Sequence, residues 1–485
     1  MRDLVARIAQ FAALYPEREA LVCPNRTLTY ADLASAIDAT KCELHELGIS
    51  RLAIYANNSA DWAILDLAAS AAGIVVVPIP LFFSASQTEH LITNSGIQMI
   101  FADRAWPLPA RAQVASQTLQ GNYLKVADSA HSVGASYSKV TYTSGSTGQP
   151  KGACLRSETM MSIVTSLSDA LLPSHLRRHL ALLPFATLLE NVAGIYLPLW
   201  MGRAVVIDDP ANLGLSSNHE FDPVRFAEQV ARHQIESVIL LPQILKLLLE
   251  ADVTKHLSGM KFMAVGGGKV APDLLWRAQE LALPVFEGYG LTECGSCVAL
   301  NTPSANAIGS VGKPLPHAQV RIGANGEVFV TGAAMEGYLQ DEPAPSEIST
   351  GDAGFIDAEG FLHITGRIKN VIVSSFGRNI SPEWVESFFL ADPRIQQLAV
   401  FGEAEPHLNA VFVVDNSLTD RTLAELVQNI NADLPDYARI ISWTRTDCPF
   451  SVANGRLTQN GKIRRDVIAE DFMGDAGSGI GMAAA

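Results

Sequence analysis

The stretch TYTSGSTGQPKG at residues 141–152 separates a strand-like run at 138–142 from an apolar segment at 153–155. Gly145 and Gly148 permit tight turns that aim backbone N–H groups inward. A flexible Ser/Gly linker would not begin on a strand and end in Pro-Lys-Gly, so the pattern predicts a loop that holds a polyphosphate. The side chains that add hydroxyl or ammonium donors are Thr143, Ser144, Ser146, Thr147 and Lys151.

This loop does not match a Walker A motif, which requires G-x-x-x-x-G-K-[ST]. Counting from Gly145, the sixth position is Pro150 rather than glycine. Lys151 is followed by Gly152 rather than by serine or threonine. A kinase or ATPase of the P-loop type is therefore excluded.

Strand-like and helix-like runs alternate on both sides of the loop, which is typical of parallel sheets covered by helices. The pattern predicts an α/β fold with a large N-terminal domain of helix-covered parallel sheets. The predicted strands are 51–56, 75–80, 99–102, 203–207 and 237–241, and the predicted helices are 61–72, 84–95, 223–233 and 242–250.

The pattern changes near Gly326, where short strands are separated by turn residues. The stretch DAEG at 357–360 predicts a hairpin, and we expect a small β-barrel-like subdomain here. A compact α+β segment follows Arg367, with predicted helices at 382–390 and 419–432. The predicted division is a large domain at 1–367, a smaller mobile C-terminal α+β domain at 368–470 and a flexible Gly/Ala-rich tail at 471–485.

Composition and charge exclude several classes of protein. The net charge of −15 disfavours a nucleic-acid partner, which needs a basic face. The N-terminal residues lack the apolar core and cleavage site of a signal peptide. The most apolar stretch, 67–83, contains Pro78 and Pro80, which favours a buried helix and strand over a membrane span. We expect a cytoplasmic protein with no nucleic-acid partner and no integral membrane span.

Six cysteines are scattered through the chain, which suits a reducing cytoplasm. Cys294 and Cys297 form a CxxC pair. A zinc site would need a second pair, and a thioredoxin-type site would need its own βαβ unit. The favoured interpretation is small residues packed beside a loop, with a redox or zinc site as the alternative.

Further motifs follow the polyphosphate loop along the chain. They are AVGGG at 264–268, EGYGLTE at 287–293, STGD at 349–352, GRIKN at 366–370, SSFGRNI at 374–380 and NGKIRR at 460–465. In this order they resemble the adenylate-forming (AMP-binding) superfamily, which includes acyl-CoA synthetases, peptide-synthetase adenylation domains and luciferases. The resemblance covers about residues 10–470.

The resemblance implies a site for ATP and Mg²⁺. It assigns Asp352 to the ribose hydroxyls and Thr292 to the α-phosphate. Glu293 would be the metal ligand, since a carboxylate is a hard oxygen donor. The residues assigned to the nucleotide are Thr143, Ser144, Gly145, Ser146, Thr147, Gly148, Lys151, Gly266, Gly267, Gly268, Glu287, Gly288, Tyr289, Gly290, Thr292, Asp352, Arg367 and Lys462.

The resemblance also implies an order of events between the two domains. Lys462 would bridge the substrate carboxylate and the α-phosphate, and Lys369 would be the hinge. The small domain would then rotate and bring in a thiol-acceptor loop that lines the pantetheine tunnel. The catalytic residues assigned are Thr292, Glu293, Arg367 and Lys462, and the acceptor-loop residues are Ser375, Gly377 and Arg378.

Two stretches, 183–191 and 453–458, look most like long-chain acyl-CoA synthetases, and the expected acid is apolar, a fatty acid first. One departure is Thr187, where most relatives have a histidine beside the acyl site. The candidate residues of the acyl pocket are apolar or small: Phe185, Leu241, Val265, Cys294 and Val298. The expected acceptor is CoA.

Two other functions stay open at the level of the sequence. One is an acyl-AMP ligase that loads the phosphopantetheine of an acyl carrier protein. The other is a non-catalytic nucleotide-binding protein on the same scaffold. Intact Lys151, Glu293, Asp352 and Lys462 disfavour the second, because a protein without catalysis does not need all four.

Overall fold

The computed structural model describes most of the chain. The described residues are 1–106, 112–126, 136–143, 150–215, 221–373, 375, 379–458, 461–473 and 481–482. The helices are α1 (Arg2–Leu14), α2 (Tyr30–Leu47), α3 (Ala60–Ala71), α4 (Ala85–Ser95), α5 (Ser157–Leu171), α6 (Leu197–Trp200), α7 (Pro223–Arg232), α8 (Pro242–Glu250), α9 (Pro272–Glu280), α10 (Pro382–Leu390), α11 (Asp420–Asn431) and α12 (Arg465–Met473).

The strands are numbered in the same way, in chain order. They are β1 (Glu19–Cys23), β2 (Arg26–Thr29), β3 (Arg51–Tyr55), β4 (Val75–Pro78), β5 (Met99–Ala102), β6 (Ala112–Ala115), β7 (Asn122–Lys125), β8 (Lys139–Thr143), β9 (Lys151–Leu155), β10 (Arg178–Ala181), β11 (Ala204–Ile207), β12 (Ser237–Leu240), β13 (Phe262–Val265), β14 (Val285–Tyr289), β15 (Ala299–Leu300), β16 (Lys313–Pro314), β17 (Gln319–Ile322), β18 (Glu327–Thr331), β19 (Gly337–Tyr338), β20 (Glu347–Ile356), β21 (Leu362–Arg367), β22 (Ile372–Val373), β23 (Asn379–Ile380), β24 (Ile395–Phe401), β25 (Leu408–Val414), β26 (Ile440–Thr446) and β27 (Gly481–Met482).

Two large sheets, parallel at their centres, form the first part of the chain. The nine-stranded sheet has the order β16-β15-β14-β13-β12-β10-β11-β1-β2, and it is parallel from β14 to β1. The eight-stranded sheet has the order β19-β9-β8-β4-β3-β5-β7-β6, with a parallel centre from β8 to β5. Parallel neighbours end at the same edge of a sheet, so the motifs that follow β13 and β14 lie side by side.

A layer of helices lies between the two sheets. Leu33 of α2, Trp62 of α3 and Ile163 of α5 belong to one buried cluster, which also contains Val205 of the nine-stranded sheet and Ile54 of the eight-stranded sheet. Helices α7, α8 and α9 cover the outer face of the nine-stranded sheet, and α4 covers the outer face of the other. This is the helix-covered arrangement that the alternating pattern predicts.

A buried ion pair lies at the start of β8, the strand that leads into the polyphosphate loop. Lys139 Nζ donates to Asp66 Oδ1 at 2.7 Å, to Asn191 Oδ1 at 2.5 Å and to the Tyr196 hydroxyl at 2.7 Å. The Lys139 and Asp66 side chains have no exposed surface. Burial lowers the pKa of Lys139, and the Asp66 carboxylate opposes this effect.

The last third of the chain forms smaller sheets. Strands β17, β18, β20 and β21 make a four-stranded antiparallel sheet where the sequence predicts a barrel-like subdomain. Beyond it, α10 and α11 pack on the sheet β24-β25-β26-β27 around a separate core that includes Phe389, Phe412 and Trp443. The α/β class with an α+β C-terminal segment is thus confirmed.

The predicted elements agree with the structure to within two residues at most ends, and α8 matches its prediction fully. The predicted flexible tail at 471–485 includes two short segments with regular secondary structure. Residues 471–473 complete α12, and Gly481–Met482 pair with β26. Among the described residues, no helix is long and apolar enough to cross a membrane.

Candidate active site

The polyphosphate loop joins two antiparallel strands. Thr143, the last residue of β8, is paired with Lys151, the first residue of β9. His90 Nε2 lies 3.1 Å from the carbonyl oxygen of Pro150, which anchors the end of the loop on α4. The predicted phosphate ligands Ser144, Gly145, Ser146, Thr147 and Gly148 lie outside the described residues.

Lys151 is connected to the predicted metal ligand through Tyr338. Lys151 Nζ lies 5.0 Å from the centre of the Tyr338 ring and 3.4 Å from Asp341 Oδ2. The Tyr338 hydroxyl donates to Glu293 Oε1 at 2.6 Å. Strand β19 places Tyr338 here because it pairs with β9, where Tyr338 lies opposite Ala153, two residues after Lys151. Tyr338 therefore connects Lys151 of the polyphosphate loop with the Glu293 carboxylate.

Glycines let the motif at 287–293 turn sharply. A Cβ on Gly290 would lie 1.6 Å from the Ser296 carbonyl oxygen, so no other residue fits without moving the backbone. A Cβ on Gly266 would approach Gly288 O to 3.0 Å, which is tight where the ends of β13 and β14 meet. Gly267, next along the chain, has φ +79°, a conformation that favours glycine. Gly268 follows it and is exposed.

Asp352 is the centre of a polar cluster that joins three motifs. The Tyr289 hydroxyl donates to Asp352 Oδ2 at 2.5 Å, and Arg367 Nε donates to Asp352 Oδ1 at 2.7 Å. Arg367 also donates to the Thr350 carbonyl oxygen at 3.1 Å. Burial raises the pKa of Asp352, and the Arg367 guanidinium and the Tyr289 hydroxyl act in the opposite direction. The structure therefore brings these predicted site residues together.

Glu287 is buried on β14, two residues before Tyr289. Burial raises its pKa to about 8, although Lys269 and a hydrogen bond from the Val270 N–H favour the carboxylate. Lys269 Nζ donates to the Ile364 carbonyl oxygen at 2.9 Å. Near neutral pH Glu287 is therefore mainly a neutral carboxylic acid that can donate one hydrogen bond.

Lys462 reaches the same cluster from the end of the chain. Its side chain retains solvent access, yet the protein around its ammonium lowers its pKa, and the nearby Arg367 charge adds to this effect. The carboxylates of Asp352 and Glu293 favour the charged form. Lys462 and Arg367 therefore put two positive charges beside the two carboxylates.

The predicted hinge and acceptor loop lie close in sequence. Lys369 is exposed in a single 3₁₀ turn, Ile368–Asn370, which directly follows β21. The Ser375 N–H donates to the Glu405 carbonyl oxygen at 2.9 Å, a contact within the C-terminal segment. The other predicted acceptor-loop residues, Gly377 and Arg378, fall outside the described residues.

Residues 8–339 match the family model described as AMP-binding enzyme. This match covers more than half of the chain. The chain belongs to the AMP-binding enzymes.

Individual relatives of this AMP-binding enzyme are CoA ligases. Long-chain-fatty-acid–CoA ligase FadD15 of Mycobacterium bovis is 28% identical, over 92% of this chain and 91% of its own. 2-Succinylbenzoate–CoA ligase of Bacillus licheniformis is 26% identical, over 86% and 91%. The o-succinylbenzoate coenzyme A synthetase of Bacillus subtilis, solved with ATP and magnesium ion, has a TM-score of 0.74 at 23% identity, over 95% and 98%.

The reaction class follows from the family and these relatives. This AMP-binding enzyme is an acid–thiol ligase of the AMP-forming CoA ligase type. Its reaction is the ATP-dependent joining of a small-molecule carboxylic acid to CoA. The relatives act on acids as different as a fatty acid and 2-succinylbenzoate, so the comparisons define the chemistry and leave the acid open.

The expected acyl-pocket residues are mostly core residues of this AMP-binding enzyme. The exposed fraction of Phe185, Val265, Cys294 and Val298 is at most 1%, and they belong to three separate packed clusters. Leu241 is 40% exposed and lies beside Gly267. Of the five candidates, only Leu241 has the exposure that contact with a substrate requires.

Thr187 stands where the family resemblance predicts a histidine. Its hydroxyl donates to the Pro184 carbonyl oxygen at 2.6 Å, and its side chain is half-buried. A hydroxyl that is already used in a local turn is a short, neutral group. It is smaller than an imidazole, so the predicted acyl site would have more room here.

The CxxC pair does not have the character of a redox or zinc site. Cys294 and Cys297 are free and buried, and burial raises the pKa of each thiol to about 12. Reactive and metal-binding cysteines need the thiolate form. Within the described parts of the chain, no three His, Cys, Asp or Glu side chains are grouped so that they could hold a metal ion.

The sequence motifs do not include three residues that the structure places at the site: Tyr338, Asp341 and Lys269. Tyr338 joins Lys151 to Glu293, Asp341 pairs with Lys151, and Lys269 lies beside Glu287. Gly337-Tyr338 is a two-residue strand at a sheet edge, and an isolated dipeptide carries no periodicity. Only the pairing of this strand with β9 shows that Tyr338 lies at the site.

Proposed function

We propose that this enzyme activates an apolar carboxylic acid, a fatty acid first, as its acyl-adenylate and then transfers the acyl group to CoA. The main support is the cluster in which Tyr289, Asp352 and Arg367 meet Lys462 beside Glu293. A nucleoside triphosphate and a carboxylate are both anions. A site that joins them must neutralise charge and hold both reactants in line.

The residues present fit a nucleotide with its magnesium ion. Glu293 would hold the metal through its carboxylate, whose Oε1 also accepts a hydrogen bond from the Tyr338 hydroxyl. One protein carboxylate is enough, because Mg²⁺ usually keeps water and substrate phosphate as its other ligands. When bound, the ion would neutralise phosphate charge. Asp352 would accept hydrogen bonds from ribose hydroxyls, and neutral Glu287 would face the base.

In the first step a carboxylate oxygen of the acid attacks the α-phosphorus. An oxygen–phosphorus bond forms, and the bond to pyrophosphate breaks. Lys462 would hold the two anions together, Thr292 would donate to the α-phosphate, and Lys151 would hold the departing phosphates. Arg367 would contact the ribose or the α-phosphate from the other side of Asp352.

In the second step the sulfur of CoA attacks the acyl carbon, and AMP leaves. The domain at 368–470 would rotate about Lys369 and withdraw Lys462. Ser375, Gly377 and Arg378 would then line the path of the pantetheine arm. The 3₁₀ turn Ile368–Asn370 is a single short element between two sheets, which suits a backbone rotation.

An apolar acid is favoured by the uncharged character of the acyl-site candidates. Leu241 is exposed beside the glycine turn, and Thr187 adds no charge. An acid with a second carboxylate would need a cation to hold it. The similarity to a long-chain-fatty-acid–CoA ligase also favours an apolar acid.

The test is acid-dependent exchange of pyrophosphate into ATP with palmitate, decanoate, benzoate and 2-succinylbenzoate. We expect exchange with palmitate or decanoate, and formation of their CoA thioesters. Exchange with 2-succinylbenzoate alone would overturn the choice of acid. No pyrophosphate exchange with any of the four acids would favour a non-catalytic nucleotide-binding protein. Transfer to a phosphopantetheinylated carrier protein but not to CoA would favour the acyl-AMP ligase alternative.

A further inference from the structure

Lys246 of α8 makes a buried contact with the C-terminal segment of the chain. Its Nζ donates to the backbone carbonyl oxygens of Leu390 at 3.1 Å, Asp392 at 3.4 Å and Ile395 at 3.1 Å. A lysine ammonium has three donors, so the three carbonyl groups satisfy it. Lys246 is 7% exposed. This contact therefore joins the two parts of the chain with little screening by solvent.

The site that receives Lys246 is the C-terminal end of α10. The last carbonyl groups of a helix lack partners within the helix, and the helix dipole is negative there. A cation at this end both supplies hydrogen bonds and balances the dipole. Ala391, directly after α10, packs against the apolar cluster of α7, α8 and α9. Polar and apolar contacts thus dock α10 on the large domain at one place.

Helix α10 also holds the loop that carries Lys462. Glu383 and Glu386 of α10 accept ion pairs from Arg465 at 3.2 Å and 2.5 Å. Arg465 is the first residue of α12 and lies three positions after Lys462. Asn370 of the hinge turn donates to Glu383 at 2.6 Å. The position of α10 therefore determines where Lys462 lies.

We propose that Lys246 is a positioning residue for adenylation, because it docks α10 on the large domain and so holds Lys462 beside Asp352 and Glu293. This inference rests on the proposed function. It goes further by assigning the contact to one half-reaction. Rotation of the small domain withdraws Lys462, so the three hydrogen bonds of Lys246 break before thioester formation.

The decisive variant is Lys246→Met, which keeps the aliphatic stem and removes the ammonium. The matched control is Lys261→Met, since Lys261 pairs with Glu236 inside the large domain at 2.7 Å. We expect Lys246→Met to lose about ten-fold or more in pyrophosphate exchange with palmitate, given the strength of hydrogen bonds to a charged group. Thioester formation from supplied palmitoyl-AMP and CoA should stay within about two-fold or rise. Lys246→Arg should restore part of the exchange.

Hydrogen–deuterium exchange supplies a readout that needs no acid. Peptides that cover 242–250 and 386–396 should exchange faster in Lys246→Met than in the wild type or in Lys261→Met. Equal losses in both half-reactions, or unchanged exchange in these peptides, would overturn the proposal. A wild type that is silent with every acid would refute the proposed function and, with it, the role in adenylation. Faster amide exchange in Lys246→Met would then show only that Lys246 docks α10 on the large domain.

Discussion

The Tyr289 hydroxyl donates to Asp352 Oδ2 at 2.5 Å, so the end of β14 is tied to β20 through one short hydrogen bond. Arg367 holds the other oxygen of the same carboxylate at 2.7 Å. Asp352 is only 4% exposed, and this pair of contacts fixes the direction in which its carboxylate points. Tyr289 thus has a structural partner in addition to its predicted contact with the nucleotide.

Tyr289→Phe keeps the ring and removes the hydroxyl. Because Asp352 loses a hydrogen bond that orients it toward the ribose, we expect KM for ATP to rise about five- to ten-fold with a smaller change in kcat. Steady-state kinetics with varied ATP measure this. Tyr15→Phe, at an exposed ring, is the control. An unchanged KM would show that the bond does not serve nucleotide binding.

Lys462→Ala should reduce adenylation by about 100-fold or more, because the charge proposed to stabilise the transition state is lost. Thioester formation from supplied acyl-adenylate should be largely spared. Pyrophosphate exchange and single-turnover thioester assays separate the two steps, with Arg464→Ala as the neighbouring control. Near-normal exchange in Lys462→Ala would contradict the assignment.

The pKa of Lys462 predicts the alkaline limit of adenylation. Partial burial and Arg367 lower this pKa, so the required positive charge is lost at a lower pH than for an ordinary lysine. The value of kcat/KM for exchange, which reports the free enzyme, should therefore fall on the alkaline side below the usual titration range of lysine. A pH–rate profile measures this limit. A rate that holds steady through that range would argue against a titrating Lys462.

Glu287→Gln should make stability less dependent on pH. Glu287 titrates at about 8 in the folded protein and near its ordinary 4.5 when unfolded. Between these values the folded state keeps a proton that the unfolded chain releases, so stability falls as pH rises. From pH 5 to pH 8 the wild type should lose on the order of 3 kcal/mol of unfolding free energy relative to the variant. Urea unfolding of both proteins at several pH values tests this. A difference in unfolding free energy that does not change with pH would contradict it.

Tyr338→Phe should weaken the use of magnesium. The phenol donates to Glu293 Oε1, and without it the carboxylate can rotate away from the metal position. We expect the Mg²⁺ concentration needed for half-maximal adenylation to rise about three- to ten-fold. A magnesium titration of pyrophosphate exchange measures this, with Tyr15→Phe as the control. If only KM for the acid changed, Tyr338 would instead belong to the acyl site.

Lys139→Met should destabilise the fold by about 3 to 5 kcal/mol, because it leaves the Asp66 carboxylate buried without its cation. The double variant Lys139→Met/Asp66→Leu should be less destabilised than the sum of the two single variants. Urea denaturation of the four proteins gives this comparison. Additive losses would mean that the two residues do not act as a pair.

The sequence was most informative where one element carries its own signal. Helix α8 begins at Pro242 with an amphipathic pattern, so its bounds could be predicted from local residues. The motifs around Tyr289, Asp352 and Lys462 were also recognisable, and the structure brings their side chains together. Each of these features lies within one short segment.

Features that depend on distant pairing were not predictable. The two-residue strand β19 exists because β9 offers it an edge, and this pairing alone brings Tyr338 to Lys151 and Glu293. In the sequence Lys246 is an ordinary lysine on an amphipathic helix, and only the fold shows its contact with the segment after α10. Four residues of the predicted acyl pocket, Phe185, Val265, Cys294 and Val298, are buried in packed clusters, and apolar character in the sequence does not distinguish a packed core residue from a binding one.

The helix layer shared by the two large sheets limits how this chain can be divided. Trp62 and Ile163 pack in one cluster with side chains of both sheets, so a fragment that carries only one sheet would expose the other half of that cluster to water. Split-protein reporters and truncated expression fragments should therefore keep both sheets on one piece. The segment beyond Arg367, with its own core around Phe389 and Trp443, is where a cut would disrupt the least packing.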